Sequence, residues 1–440
     1  MGERHDLDFE LNSLAGERFP DDNPDARPEF SLPRADGGRR AWAFLLAAFV
    51  AEAIVWGFPY SFGVFERYYS THKPFSEDPS GIAAIATTAT GIMYLVSPLL
   101  LSILQRWPRY RRTSSVAGLA IMVLSLVAAS FAKSTLQLLL TQGVLFAIGG
   151  AVFYYPAVLF LDEWFVRRKG LAFGTMWAGT GASGVAIPFI TGWLLDNYGH
   201  RTALQVWGVV TAVASIPCLF FIKGRLPIAG SSGPRRNDFS FVASPAFWFL
   251  QAGNFSLNLG YSLPGIYMSS YAAAEGFSGL SGTLAISFFN AAAAIGGILA
   301  GLLIDRFHVT TVTAICGIGG ALAVLLVWGF AVSEPILYVF AILYGTFAGS
   351  FSTTWSGCAN ALRSRGRTVE TGSVMSLLIA AKGIGAVVSG PLSSALIRAA
   401  PWKGTAIGAY GSSYGGLVVF TGITSFLGAA SFGGRLLGFV

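Results

Sequence analysis

Twelve apolar runs, joined by short polar connections, govern what this chain can become: residues 42-64, 81-104, 114-132, 135-160, 170-194, 203-222, 245-269, 281-304, 311-332, 335-358, 372-397 and 412-437. Each is close to the roughly 20 residues that span a hydrocarbon layer about 30 Å thick at about 1.5 Å per residue. In lipid the backbone finds no water, so such runs must satisfy their own hydrogen bonds as helices. An all-α polytopic membrane protein is expected. Only 12% of the 440 residues are charged and 53% are hydrophobic, with a mean hydropathy of +0.60. Ordinary soluble domains carry about twice that charge.

Residues 1-35 form a polar, acidic tail with Pro20, Pro24, Pro28 and Pro33 and no apolar periodicity, which predicts a disordered cytoplasmic segment. No apolar core follows a basic start there, so it does not read as a signal peptide. The loops after the even-numbered runs carry fifteen Lys and Arg, against six in the loops after the odd-numbered ones. Positive residues stay inside, so both termini are expected in the cytoplasm. The net charge of +7 is thus orientation, and no nucleic-acid partner is expected.

Other chemistries find little support. Cys218, Cys316 and Cys358 lie in or beside apolar runs and suggest neither a disulfide framework nor a metal cluster. His5, His72, His200 and His308 are scattered through the tail and loops, with no acid/base or metal spacing. The chain lacks the Gly-xxxx-Gly-Lys-Ser/Thr phosphate cradle of an ATP-driven pump. Neither an enzyme nor a cofactor is therefore expected, whereas a non-transporting membrane sensor is the alternative from another class.

The two ends of the chain look related. "LSILQR" at 101-106 and "GLLIDR" at 301-306 close the second and eighth runs, and "AGTGASGVAIPF" around Pro188 parallels "AKGIGAVVSGPL" around Pro391 in the fifth and eleventh. Two six-helix halves are expected, 36-222 and 245-440, joined by a cytoplasmic linker at 223-244, with a cavity between them. The plainer alternative is that glycine-rich membrane helices resemble one another anyway.

That alignment sets Gly179 against Lys382, so the scaffold does not require the lysine. Lys382 lies ten residues into its run, too deep to snorkel easily, and an unpaired charge there costs at least about 3 kcal/mol. It should face a wet cavity or a partner. Glu52 sits at a similar depth in the first run, with Trp56 and Tyr60 on the same helical face. A carboxylate in so apolar a setting is a candidate proton carrier. For both charges a buried ion pair or interhelical hydrogen bond is the structural alternative. Asn254, Asn258 and Tyr261 share a face of the seventh run and Asn290 interrupts the eighth; these are candidate substrate contacts or interhelical glue. Tyr154, Tyr155 and Trp177 are weaker candidates of the same kind. Gly170-xxx-Gly174, Gly297-xxx-Gly301 and Gly345-xxx-Gly349 are close-approach patterns.

Residues 36-42, "DGGRRAW", and 163-184, "EWFVRRKGLAFGTMWAGTGASG", resemble the paired signatures of the monocarboxylate transporter family within the major facilitator superfamily. "VWGFPYSFGVF" and "GPLSSALI" are similar to its fungal branch, and the resemblance runs from about residue 36 to the end. It implies a major facilitator fold of 12 transmembrane helices and transport of a small carboxylic acid or related organic anion, often with a proton. Animal members carry a lysine, an aspartate and an arginine at positions that here match Tyr60, Asn290 and Ala294. The usual coupling set is absent, so proton symport is not carried over residue by residue. Lys382 and Glu52 are a relocated candidate pair, for substrate carboxylate and proton respectively.

Asp305-Arg306, similar to a superfamily loop motif, and Arg167-Arg168 are expected to gate the cytoplasmic side. The expected partners are a small organic anion, a proton and the lipid bilayer; a single-helix accessory subunit is left open. Export of an acidic secondary metabolite is favoured over uptake of a monocarboxylate or vitamin, because the aromatic path suits a larger, partly apolar substrate. The plasma membrane is the expected location, with the vacuolar membrane as the alternative.

Overall fold

The computed structural model describes residues 32–227, 237–278, 280–363 and 369–440. Most of the expected tail and the middle of the expected linker lie outside the described residues. In chain order the principal helices are α1 (Arg39–Tyr60), α2 (Phe62–Thr71), α3 (Pro79–Leu95), α4 (Ser97–Arg106), α5 (Arg111–Ala129), α6 (Phe146–Trp164), α7 (Lys169–Phe221), α8 (Pro245–Ala274), α9 (Ser281–Ile304), α10 (Val309–Leu322), α11 (Glu334–Phe347), α12 (Thr354–Arg363), α13 (Thr371–Ala399), α14 (Gly415–Leu427) and α15 (Ala430–Leu436). A short turn of helix, Thr135–Leu138, leads into α6. No strand occurs among the described residues.

Each apolar run coincides with helix to within a few residues. Ten helical stretches among the described residues are long and apolar enough to cross a membrane. One of them, α7, is 53 residues long and carries two runs, broken at Gly199, whose φ of 75° is open to a residue without a side chain. Another helix, α8, has 30 residues but is outside the ten, because Gln251, Asn254 and Asn258 dilute its apolar surface. Large side chains such as Leu124, Val213, Phe220 and Ile295 are exposed on the outer faces. A lipid surround explains them: this is an integral, multi-pass membrane protein.

Lipid tails are as apolar as leucine, so helices here are held by close packing and polar bonds rather than by escape from water. The glycine patterns supply that packing by meeting one another. A Cβ at Gly170 or Gly174 on α7 would strike the carbonyl oxygens of Gly301 and Gly297 on α9, and one at Gly345 on α11 would strike that of Phe289 on α9. Further along the α7–α9 contact, Asn290 Nδ2 donates to the Gly184 carbonyl across 3.3 Å.

Polar bonds close one end of the bundle. The Asp305 carboxylate, just after α9, accepts from the backbone N–H groups of Gly170 (2.7 Å) and Leu171 (2.9 Å) at the start of α7, where the helix dipole favours a negative charge. Burial raises the Asp305 carboxyl, although those two donors pull it back. Asp162 pairs with Lys169 and with Arg363 (3.9 Å) and accepts from the Thr371 hydroxyl (2.9 Å). Ser373 donates to Gln105 (3.1 Å) and Ser97 to the Ser376 carbonyl (2.9 Å). All of these except the Asp162–Lys169 pair tie helices before residue 222 to helices after residue 245.

The two signature stretches also meet at this end. One Asp36 oxygen accepts from the backbone N–H groups of Val166, Arg167 and Arg168 at 2.8–2.9 Å, and the Asp36 N–H donates to the Trp164 carbonyl. Burial alone would raise this carboxyl; the three N–H donors and the Arg167 charge outweigh it and hold it below its usual range. Trp42 packs edge-on against Phe165 and Phe44 stacks on Trp164.

Candidate substrate cavity

A cavity of about 380 Å³ lies among α1, α3, α6, α7, α8, α9, α12 and α13, within the size range of small-molecule sites. Tyr60 and Ile266, both on its wall, are exposed, so it opens away from the end closed by Asp162 and Asp305.

The i, i+4, i+8 spacing of Glu52, Trp56 and Tyr60 places all three along one face of α1, and all three line the cavity. Glu52 is 3% exposed. Its Oε1 accepts from the Thr180 hydroxyl at 2.5 Å, and the Tyr154 hydroxyl lies beside the same carboxylate. A wall of rings continues from it. Trp56 lies 4.5 Å from Tyr94 and edge-on to Tyr154, while Trp177 donates its indole N–H to the Tyr154 hydroxyl at 2.8 Å.

Lys382, on α13, half-buried, reaches the same space. Its ammonium donates to the Ser352 hydroxyl at 3.0 Å and lies over three rings: Tyr261 at 4.9 Å, Tyr94 at 5.5 Å and Trp355 at 5.7 Å from the ring centres. Cation–π contacts of this kind are worth about 0.5–2 kcal/mol each. Among the described residues, no carboxylate oxygen lies within 4.0 Å of it, in contrast to Lys169 and Arg111 at the closed end.

Asn258, Tyr261 and Asn290 also line the cavity. Asn254 sits behind the wall instead, 1% exposed. Its Oδ1 accepts from the Trp355 indole (2.8 Å) and from Asn258 (3.0 Å), and its amide donates to the Leu378 carbonyl (2.9 Å). It braces one ring of the lysine's surround. The four expected gating residues lie at the closed end, where Arg167, Arg168 and Arg306 are exposed. There the loop engages Asp36 through the backbone of Arg167 and Arg168. Tyr94, Thr180, Ser352 and Trp355 were not singled out in the sequence; each acquires its meaning from a contact with a distant helix.

The geometry, a ring-walled cavity open at one end and tied shut at the other inside a bundle of membrane helices, defines a small-molecule membrane transporter rather than an enzyme. Residues 43–369 match the Major Facilitator Superfamily, and the chain belongs to it. Among similar proteins are the MFS transporter asaE of Aspergillus flavus, 25% identical over 93% of this chain and 88% of that one, and the fujikurins efflux protein of Gibberella fujikuroi, 27% identical over 97% and 91%. The fold is that of the proton:xylose symporter XylE, with a TM-score of 0.65 at 12% identity over 89% of this chain and 94% of that one.

Proposed function

We propose that this transporter exports an acidic secondary metabolite, with Lys382 holding the anion and Glu52 carrying a coupled proton. The observation that carries the reading is the Lys382 ammonium, which faces the cavity with a hydroxyl and three rings around it but no carboxylate within ion-pair distance among the described residues. An incoming carboxylate or enolate would supply the missing charge. Relatives named for efflux of fungal products support the direction.

In this reading the chain has twelve spans, as halves 36-222 and 245-440, with both termini in the cytoplasm of a fungal cell and the plasma membrane as its site. The resemblance to the monocarboxylate family then describes ancestry more than substrate. The closed end is cytoplasmic, so the cavity faces outward and Asp162 and Asp305 must release their partners before substrate can load from within.

The test is the pH change inside proteoliposomes holding the purified protein, on adding acids from pyruvate to bulky aromatic metabolites. A response confined to bulky acids is expected. Lys382→Ala should weaken it by about 30-fold in apparent affinity, the value of a charge-assisted bond of about 2 kcal/mol. Unchanged affinity in that variant would remove the lysine from the mechanism.

A further inference from the structure

We infer that the substrate is a planar, conjugated organic anion, and that Trp355 selects it by its ring. This rests on the proposed transport of an acid and adds the shape of the acid's body.

The argument begins with access to the ammonium. Tyr261, Tyr94 and Trp355 stand around it, and the Ser352 hydroxyl accepts a hydrogen bond from it. An anionic group that reaches Lys382 must therefore carry its body past ring surfaces. Those rings continue into the cavity: Trp177 meets Trp355 edge-on at 5.4 Å, and Trp56 lies at a tilt of 30° to Tyr94. A flat conjugated body gains offset-stacked and edge contacts on such a wall that a saturated, puckered body of equal volume does not. A cavity of about 380 Å³ would also leave a two- or three-carbon acid mostly surrounded by space.

Trp355 is placed for this task by a second layer. Its indole N–H is anchored to Asn254, which is itself fixed to the Leu378 carbonyl one turn before Lys382 on α13. Ring and ammonium are thus held in one frame. The bond spends the indole's only donor on the protein, so what Trp355, 4% exposed, offers a substrate is the small part of its ring that reaches the cavity wall.

The experiment compares binding of 2-naphthoic acid, its saturated analogue decahydro-2-naphthoic acid and neutral methyl 2-naphthoate, by calorimetric titration of the purified full chain in lipid nanodiscs. The two acids share a carbon skeleton and a charge and differ in flatness and conjugation. We expect the aromatic acid to bind about tenfold tighter than the saturated one, a difference of about 1.4 kcal/mol. The preference should persist in Trp355→Phe and shrink to within about threefold in Trp355→Leu. Equal binding of both acids by the unaltered protein would overturn the ring inference and leave acid transport standing. Binding of the ester alone would overturn acid transport as well, and no binding of any probe at millimolar concentration would overturn the inference.

Discussion

The glycine-rich stretch of α7 and the corresponding stretch of α13 differ at one position that separates packing from chemistry. Gly179 lies where α1 passes so close that a Cβ would strike the Phe49 carbonyl oxygen and crowd the Glu52 side chain. Lys382, its counterpart, reaches out over the ring of Tyr261 on α8 and into the cavity. One member of the pair lets two helices touch, and the other uses the space between helices to present a charge. The acidic group comes from the tight side: Glu52 is on the helix that Gly179 admits, and Thr180, next in sequence, donates to it. Close packing on one side and an open lining on the other thus put a carboxylate and an ammonium in the same cavity from different helices.

The largest effect should follow from exchanging these roles. Gly179→Lys would force α1 and α7 apart, at about 3 kcal/mol or more of overpacking; the expected outcome is loss of monodisperse protein in size-exclusion chromatography after detergent extraction. A well-folded variant would mean the α1–α7 contact yields more easily than its geometry implies.

A smaller change sharpens the contrast on the acidic side. Glu52→Gln keeps an acceptor for Thr180 but cannot take up and release a proton, so substrate-driven pH change in proteoliposomes should fall to background while exchange of labelled for unlabelled substrate continues. Persistence of the pH signal would place the proton elsewhere.

The smallest effect belongs to the closed end. Asp36→Ala removes a carboxylate that accepts from three N–H groups, and should lower thermal stability by about 1 kcal/mol, as loss of a cap does. Because the folded carboxyl is held below its ordinary value of 3.8, its contribution is fully present above that pH and disappears as the pH falls through the lower folded value. Thermal melts of the native chain and the variant should therefore converge in acid; a constant gap would show that the charge contributes nothing.

Much of this architecture was legible because it obeys local rules. Apolar length marked the helices, the four-residue spacing gathered Glu52, Trp56 and Tyr60, and the depth of Lys382 in its run singled it out. The glycine patterns were visible too, but not that those of α7 and α9 are each other's partners, since nothing local pairs residues 131 positions apart, as Gly170 and Gly301 are. The same limit hid Trp355 and Tyr94, whose roles exist only where helices remote in sequence converge. Asn254 shares a helical face with Asn258, yet the wall passes between them; periodicity gives a direction but not a depth. Arg167 and Arg168 drew notice as charges, whereas Asp36 binds their backbone N–H groups, which any residue but proline would provide, with the Arg167 charge adding to them.

The lysine's surround has a further consequence for a membrane that must hold its ion gradients. A carrier whose cavity admits water risks becoming a shunt for hydronium and potassium each time it opens. A fixed positive charge inside a narrow, low-dielectric passage raises an electrostatic barrier to exactly such traffic. Lys382 stands there with no carboxylate within ion-pair distance among the described residues, and Glu52, the acid of the same cavity, offsets its charge only from farther off. An anion would lift that barrier only by occupying the passage itself, so the residue that invites the cargo also insulates the empty protein.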